Sequence, residues 1–148
     1  MFNMKIFEAN ITYSLIDFFE NSKELTIELL NSKIKAICGI NAFFELQSEL
    51  DELINTISSK KNTVSEPDRT EYGDFQTNRN LSDKVCNLIK NQNTTPEIII
   101  EPTCGKGNFI ISSLKAFKNT KHIYGIEIYK PYVWETKFSI FELYIRNH

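Results

Sequence analysis

The segment IIIEPTCGKGNFI, residues 98–110, decides the fold, because an apolar run in it ends abruptly at a glycine-rich turn. Three isoleucines lead into Glu101 and Pro102, and Gly105 and Gly107 precede a second apolar run. A short all-apolar strand of this kind is typical of a parallel sheet that is covered on both faces. Glycines directly after such a strand let the backbone approach a ligand without an intervening Cβ. The pattern predicts a strand over 97–101 and a helix over 108–117.

A second strand is predicted over 122–128 (HIYGIEI), and a last helix over 132–147. Strand, helix and strand in so short a stretch form a βαβ unit. In open α/β sheets ligands bind at the carboxyl ends of the strands, where both the glycine turn and Glu127 would lie. An acidic residue about twenty positions after the glycines is placed to accept hydrogen bonds from ribose hydroxyls. The sequence therefore predicts a site for an adenosine-containing cofactor.

The residues around the turn also bear on which cofactor this is. A dinucleotide fingerprint has a third glycine three positions after the second, where this chain has Ile110. The carboxylate of Glu101 beside the turn would repel a pyrophosphate, whereas it suits a cationic ammonium or sulfonium group. S-adenosyl-L-methionine carries both of these cations. The alternative interpretation is a tight strand-to-helix turn in an enzyme of another function.

The part before this unit is predicted to be helical. An amphipathic helix is predicted over 78–90, with Thr77 or Asn80 as the N-cap and an apolar face formed by Leu81, Val85, Leu88 and Ile89. Residues 4–58 also read as helices, two of which would form an antiparallel hairpin broken at Gly39. Their apolar stripes are Ile27, Leu30, Ile34 and Ile37, and then Phe43, Leu46, Leu50, Leu53 and Ile57. An earlier helix around Ile11, Leu15, Phe18 and Phe19 is predicted to pack with them.

These patterns divide the chain into three parts. Residues 1–60 form a helical extension, 61–73 a polar linker with Pro67 and Gly73, and 74–148 the first part of an α/β domain. The extension carries no residues of recognisable chemistry. We interpret it as a bundle that buries its own apolar stripes, and a role in binding a partner is the alternative.

Composition excludes several classes of protein. The 148 residues carry 17 Lys and Arg against 19 Asp and Glu, a net charge of −2, which excludes a strongly basic nucleic-acid binder. No apolar run approaches the roughly 18 residues of a membrane span, and the N-terminus does not read as a signal peptide. Three cysteines without metal-ligand spacing favour a reduced, cytoplasmic setting. We expect a soluble protein that binds no membrane.

The segment EPTCGKGNF (101–109) resembles the first cofactor-binding motif of S-adenosylmethionine-dependent DNA adenine-N6 methyltransferases of restriction-modification systems. The resemblance implies that Glu101 faces the methionine moiety, that Gly105 and Gly107 line the cofactor, and that Phe109 packs behind the loop. It covers residues 72–133 in three motifs that occur in the order of the family.

The other two motifs lie on either side of the first. GIEIYKP (125–131) is similar to the second motif, which implies that Glu127 binds the ribose and Ile128 lies against the adenine. GDFQTN (73–78) resembles the motif that precedes the first in one subclass, where Thr77 would hold the cofactor's carboxylate. Many relatives have proline after that threonine, and this chain has Asn78. The candidate cofactor-binding residues are Thr77, Glu101, Pro102, Gly105, Gly107, Asn108, Glu127 and Ile128.

The catalytic motif of that family, Asn or Asp followed by Pro-Pro and an aromatic residue, has no counterpart here. The chain has four prolines and none is adjacent to another. We therefore assign no catalytic residue and no metal ligand. The chain is expected to be the N-terminal portion of a methyltransferase and to be inactive alone. The complete enzyme is expected to act on DNA. A second polypeptide is one possible source of the catalytic motif.

These features together predict an α/β fold: a partial Rossmann-like S-adenosylmethionine-dependent methyltransferase core preceded by an α-helical extension. Two other functions are compatible with the same residues. One is a non-catalytic interaction or regulatory remnant, and the other is a methyltransferase that acts on RNA or protein, because the cofactor motifs do not name the acceptor.

Overall fold

The computed structural model describes residues 11–58 and 76–146, which fall into two compact units. One unit combines residues 11–58 with 137–146, and the other is formed by 76–136. The predicted linker, 61–73, lies outside the described residues, as do the first residues of the predicted helical extension. None of the helices in the described parts of the chain is both long and apolar enough to cross a membrane.

In its described residues, the first unit contains three complete helices: α1 (Tyr13–Glu20), α2 (Ile27–Cys38) and α3 (Gln47–Ser58). The predicted stripe of α2 is confirmed at its centre, where Leu30 and Ile34 are fully buried. The predicted break at Gly39 is also confirmed, because this glycine adopts a left-handed conformation (φ +79°) that ends the helix.

Helix α3 begins four residues later than the predicted stripe, which started at Phe43. The side chain of Asn31 holds Phe44 outside any helix, donating to its carbonyl at 2.8 Å and accepting from its N–H at 2.9 Å. Glu49 is buried and accepts from the N–H groups of Glu45 and Leu46, so its carboxylate satisfies donors at the helix start. Leu46 consequently lies outside the helix and is exposed.

An aromatic cluster around Phe19 forms the core of this unit. The ring of Phe19 lies 5.9–6.4 Å from four other phenylalanine rings, those of Phe43, Phe44, Phe138 and Phe141. Phe43 and Phe44 come from the connection between α2 and α3, and α1 packs against α3. The connection between α2 and α3 therefore supplies core residues in addition to those of the predicted helical stripes.

The second unit is a βαβ arrangement that follows helix α4 (Arg79–Asn91). Strand β1 (Ile98–Glu101) leads into helix α5 (Asn108–Ala116), and β2 (His122–Gly125) pairs with β1 in parallel, with Ile98 opposite His122. The two predicted parallel strands are confirmed, although β2 ends three residues earlier than predicted. Helix α6 (Lys130–Ile145) begins in this unit and ends in the first.

The division predicted at residue 74 differs from these units at the C-terminal end. That prediction assigned all of 74–148 to the α/β part, whereas 137–146 belong to the helical unit. Phe138 and Phe141 pack on Phe19, which explains why this half of α6 is grouped with the helices.

One face of the two-stranded sheet is covered and the other is open. Helix α5 packs against β1, and its Ile110 lies over Gly125 of β2. Ile98 and Ile100 point to the opposite face and are 55% and 63% exposed, and Tyr124 beside them is 54% exposed. The expectation of a strand buried on both faces is therefore wrong for the described residues. We call Ile98, Ile100 and Tyr124 the open sheet face.

Helix α4 also buries a face other than the predicted one. Its apolar residues Leu81, Leu88 and Ile89 are exposed, while Ser82 and Cys86 are buried against α5. The hydroxyl oxygens of Ser82 and Ser112 lie 2.8 Å apart across this contact. Small side chains let the two helix backbones approach closely, and the hydrogen bond satisfies both hydroxyls in the interior.

Candidate functional site

The loop between β1 and α5 takes its shape from two glycines in left-handed conformations. Gly105 has φ +50° and Gly107 has φ +77°, which other residues adopt at a cost in free energy. A Cβ on Gly107 would also meet the side chain of Thr136, whereas one on Gly105 would meet the flexible end of the Gln76 side chain. The conformation of the loop itself therefore requires glycines. The prediction from sequence attributed them only to the close approach of a ligand.

The loop is held to the carboxyl ends of both strands. The N–H of Ile126 donates to the carbonyl of Glu101 at 2.9 Å, and the N–H of Cys104 donates to the carbonyl of Ile126 at 2.9 Å. These bonds continue the ladder beyond β1 and β2. The predicted location of the glycine turn at the carboxyl edge of the sheet is confirmed.

Glu127 lies two residues beyond β2 and its carboxylate reaches back to the glycine loop. Oε2 accepts from the N–H of Gly105 at 2.9 Å, and Oε1 accepts from the N–H of Tyr129 at 2.8 Å. The side chain is half-buried. A carboxylate has about four acceptor positions, so each oxygen retains capacity for a further donor. The structure thus brings Glu127 and the glycine loop together, as the sequence predicted.

Thr77 is brought to the same loop by Asn108, the first residue of α5. The amide nitrogen of Asn108 donates to the carbonyl of Thr77 at 2.7 Å, and its Oδ1 accepts from Nε of Arg79 at 2.9 Å. The N-cap of α4 is Asn78, whose side chain accepts from the N–H of Asn80 at 2.8 Å. The prediction of Thr77 or Asn80 as the cap is wrong, because Asn78 has the extended backbone and the acceptor that the position requires.

The remaining candidates differ in exposure. Ile128 is 93% exposed and Pro102 is exposed, whereas Glu101 is half-buried at the end of β1. The structure thus provides half-buried carboxylates and an exposed apolar residue next to Glu127.

Sequence reasoning missed two residues that shape the loop. Oε1 of Gln76 accepts from the N–H of Lys106 at 2.9 Å, and the hydroxyl of Thr136 donates to the carbonyl of Gly105 at 3.1 Å. Gln76 directly precedes the candidate residue Thr77 in the GDFQTN segment, and this position could have indicated that it belongs to the site. Thr136 lies on α6 with no local pattern that points to the loop.

Cys104 lies inside the loop between two carboxylates. Burial raises the pKa of its thiol, and the negative charges of Glu127 and Glu101 raise the pKa further. A raised pKa disfavours the thiolate, which is the nucleophilic form. The electrostatics therefore argue against Cys104 as a nucleophile.

The pH dependence of alkylation tests this environment. Carbamidomethylation of Cys104 by iodoacetamide should require a higher pH than that of a free thiol, because the thiolate forms later. Glu127→Gln removes one nearby negative charge and should move the rate profile of Cys104 to lower pH. Peptide mass spectrometry of the modified residue gives the rates. Glu97→Gln alters an exposed ion pair with Lys121 and is the matched control; equal shifts in both variants would contradict the assignment.

The described residues contain no group of three or more Asp, Glu, His or Cys side chains arranged to hold a metal ion. What the loop presents instead is two half-buried carboxylates and an exposed isoleucine. Such a site can anchor an organic molecule through hydrogen bonds and apolar contact.

Comparison with known proteins relates the chain to a methyltransferase. It is 46% identical over 72 residues to the Type II methyltransferase M.NspV of Nostoc sp.. The matched segment is 49% of this chain and 15% of the Nostoc protein, so the chain spans a small part of that relative's length. No family model and no solved structure matches the chain. The predicted resemblance to methyltransferases of restriction-modification type is thus confirmed by the similarity to this Type II methyltransferase.

Proposed function

We propose that this chain binds S-adenosyl-L-methionine as part of a site-specific DNA adenine-N6 methyltransferase of a restriction-modification system. The observation that carries the proposal is the 2.9 Å hydrogen bond from the N–H of Gly105 to the Glu127 carboxylate at the carboxyl edge of two parallel strands. It joins a glycine turn and an acidic residue at the position where open α/β sheets bind nucleoside cofactors.

Within this proposal the described residues divide the cofactor between them. The second acceptor positions on the Glu127 oxygens take the ribose hydroxyls, and exposed Ile128 takes the adenine ring. Gly105 and Gly107 allow the loop backbone to pass close to the ligand. Thr77, at the start of α4, binds the carboxylate of the methionine moiety. The proposed contacts are Thr77, Glu101, Pro102, Gly105, Gly107, Asn108, Glu127 and Ile128.

Charge favours S-adenosyl-L-methionine over a dinucleotide. Glu101 and Glu127 both raise the pKa of Cys104, so both carboxylates act on the loop electrostatically. Two negative charges oppose a pyrophosphate and attract an ammonium or a sulfonium group. The bound cofactor supplies an activated methyl group on sulfur, and the residues of this chain hold and orient it.

The reaction also needs groups that these 148 residues do not contain. No Asn/Asp-Pro-Pro-aromatic sequence is present to orient an adenine amino group. We propose that polypeptide outside these residues, a second chain in one arrangement, carries that motif and packs on the open sheet face. Parallel sheets are normally covered on both faces, and Ile98, Ile100 and Tyr124 form an apolar surface suited to such a cover.

DNA as the substrate is part of the proposal and is supported by the similarity to a Type II methyltransferase. The 148 residues carry a net charge of −2, so the chain is not strongly basic. Contacts to DNA would therefore come from the same polypeptide that supplies the catalytic motif.

Ligand selectivity tests the proposed function. Isothermal titration calorimetry with the 148-residue chain should detect S-adenosylhomocysteine and give no heat with NAD or ATP at the same concentrations. The reason is that the phosphates would approach the carboxylates of Glu101 and Glu127. Binding of NAD in preference to S-adenosylhomocysteine would overturn the choice of cofactor. Absence of binding by all three would favour the non-catalytic interaction protein.

A further inference from the structure

We infer that Asn108 is a positioning residue, which holds Thr77 in place beside the glycine loop so that Thr77 can bind the carboxylate of the cofactor's methionine moiety. The inference rests on the proposed function and adds to the proposed contact of Asn108 with the cofactor a role that acts through another residue. Its side chain reaches Thr77 and Arg79, which are 31 and 29 residues away in the sequence.

The two hydrogen bonds fix the orientation of the Asn108 amide. A carbonyl oxygen can only accept, and a guanidinium nitrogen can only donate. The Asn108 Nδ2 must therefore face the carbonyl of Thr77, at 2.7 Å, and the Oδ1 must face Nε of Arg79, at 2.9 Å. An aspartate would present a second acceptor to the Thr77 carbonyl and lose that bond. Only asparagine among residues of this size satisfies both partners.

The bond to Arg79 strengthens this arrangement. Arg79 is the first residue of α4 and is half-buried, and the guanidinium remains charged at neutral pH. A hydrogen bond from a charged donor is stronger than one between neutral groups. Asn108, the first residue of α5, thereby binds both Arg79 and Thr77. These two hydrogen bonds define where Thr77 lies relative to Gly107, the residue that precedes Asn108.

The polar contact between Ser82 and Ser112 provides a matched comparison. Ser112 lies one helical turn after Asn108 on the same face of α5, and it also accepts or donates across to α4, with a further bond to Asp83 at 2.6 Å. Ser112→Ala should loosen the packing of α4 on α5 without releasing Thr77. Asn108→Ala should release Thr77.

The test compares two ligands that differ only at the methionine end. S-adenosylhomocysteine has the amino acid moiety, and 5′-methylthioadenosine lacks it. In the full chain, Asn108→Ala should weaken S-adenosylhomocysteine by about tenfold, the equivalent of about one hydrogen bond. Its affinity for 5′-methylthioadenosine should stay within about twofold. Ser112→Ala should leave the ratio of the two affinities unchanged, even where the melting temperature falls.

A measurement without ligand keeps the inference separate from the proposed function. Hydrogen exchange at the Asn80 amide, which is bonded to the Asn78 side chain, should accelerate in Asn108→Ala because the start of α4 is released. Asn108→Ser provides a second variant with a smaller perturbation and the same expected direction. Unchanged exchange in both variants, or equal weakening of both ligands, would overturn the positioning role. If the wild-type chain bound neither ligand, the proposed function would fail and the exchange rates would still decide the role of Asn108.

Discussion

The 148-residue chain by itself is expected to transfer no methyl group to DNA, even at saturating S-adenosyl-L-methionine. Methyl transfer requires the adenine amino nitrogen to lie in line with the sulfonium, and positioning of this kind is a major part of catalysis. The Pro-Pro motif that would orient the amino group is absent from the chain. Extruding a base from the duplex also costs about a few kcal/mol. Favourable contacts between the protein and DNA must offset this cost.

The measurement is transfer of tritium from labelled cofactor to adenine-containing DNA. A second polypeptide that carries Asn/Asp-Pro-Pro-aromatic, such as the product of a neighbouring reading frame, should produce activity when added. The same polypeptide with alanine in place of its Asn or Asp is the control and should produce none. Replacing Ile100 of the open sheet face by aspartate should abolish the complementation and leave cofactor binding intact. Methyl transfer by the chain alone would refute the interpretation that the chain lacks groups needed for catalysis.

Glu127→Ala is expected to weaken the binding of S-adenosylhomocysteine by about 30- to 1,000-fold, or roughly 2–4 kcal/mol. Two effects contribute. The first is the loss of hydrogen bonds from the ribose hydroxyls to a charged acceptor. The second is the loss of the bonds that Glu127 accepts from the N–H groups of Gly105 and Tyr129, which hold the loop to the end of β2.

Calorimetry on the wild-type chain and on two variants checks this prediction. Glu97→Ala removes the carboxylate just before β1, where it forms an exposed ion pair with Lys121, and should leave the affinity unchanged. Adenine should bind both Glu127→Ala and the wild type with similar affinity, since it has no ribose. If Glu127→Ala bound S-adenosylhomocysteine as tightly as the wild type, the ribose would have to be held elsewhere.

Local patterns were sufficient for the parts of the fold that depend on neighbouring residues. The run of isoleucines predicted a strand that the structure has at Ile98–Glu101, and the break at Gly39 ends α2. Both outcomes follow from preferences that act over a few positions. The start of α3 could not be predicted in this way, because the side chain of Asn31, 13 residues away, holds Phe44 outside the helix.

The face that α4 buries shows why periodicity has a limited reach. The apolar residues of the helix predicted burial of Leu81, Leu88 and Ile89, yet the structure buries Ser82 and Cys86. A hydrophobic pattern indicates which residues favour burial, but it does not indicate which element packs against the helix. Close approach to α5 and the Ser82–Ser112 contact decided the packing.

The sequence by itself determined the two strands, the glycine turn after the first and the acid beyond the second, because each depends on backbone preferences and spacing along a short segment. Only the tertiary structure decided how the parts of the candidate site meet. The bond from Gly105 to Glu127 spans 22 residues and the bond from Asn108 to Thr77 spans 31. Such contacts depend on the path of the chain between them, and the pairing of donor with acceptor is settled only when the folded backbone brings them within 3 Å.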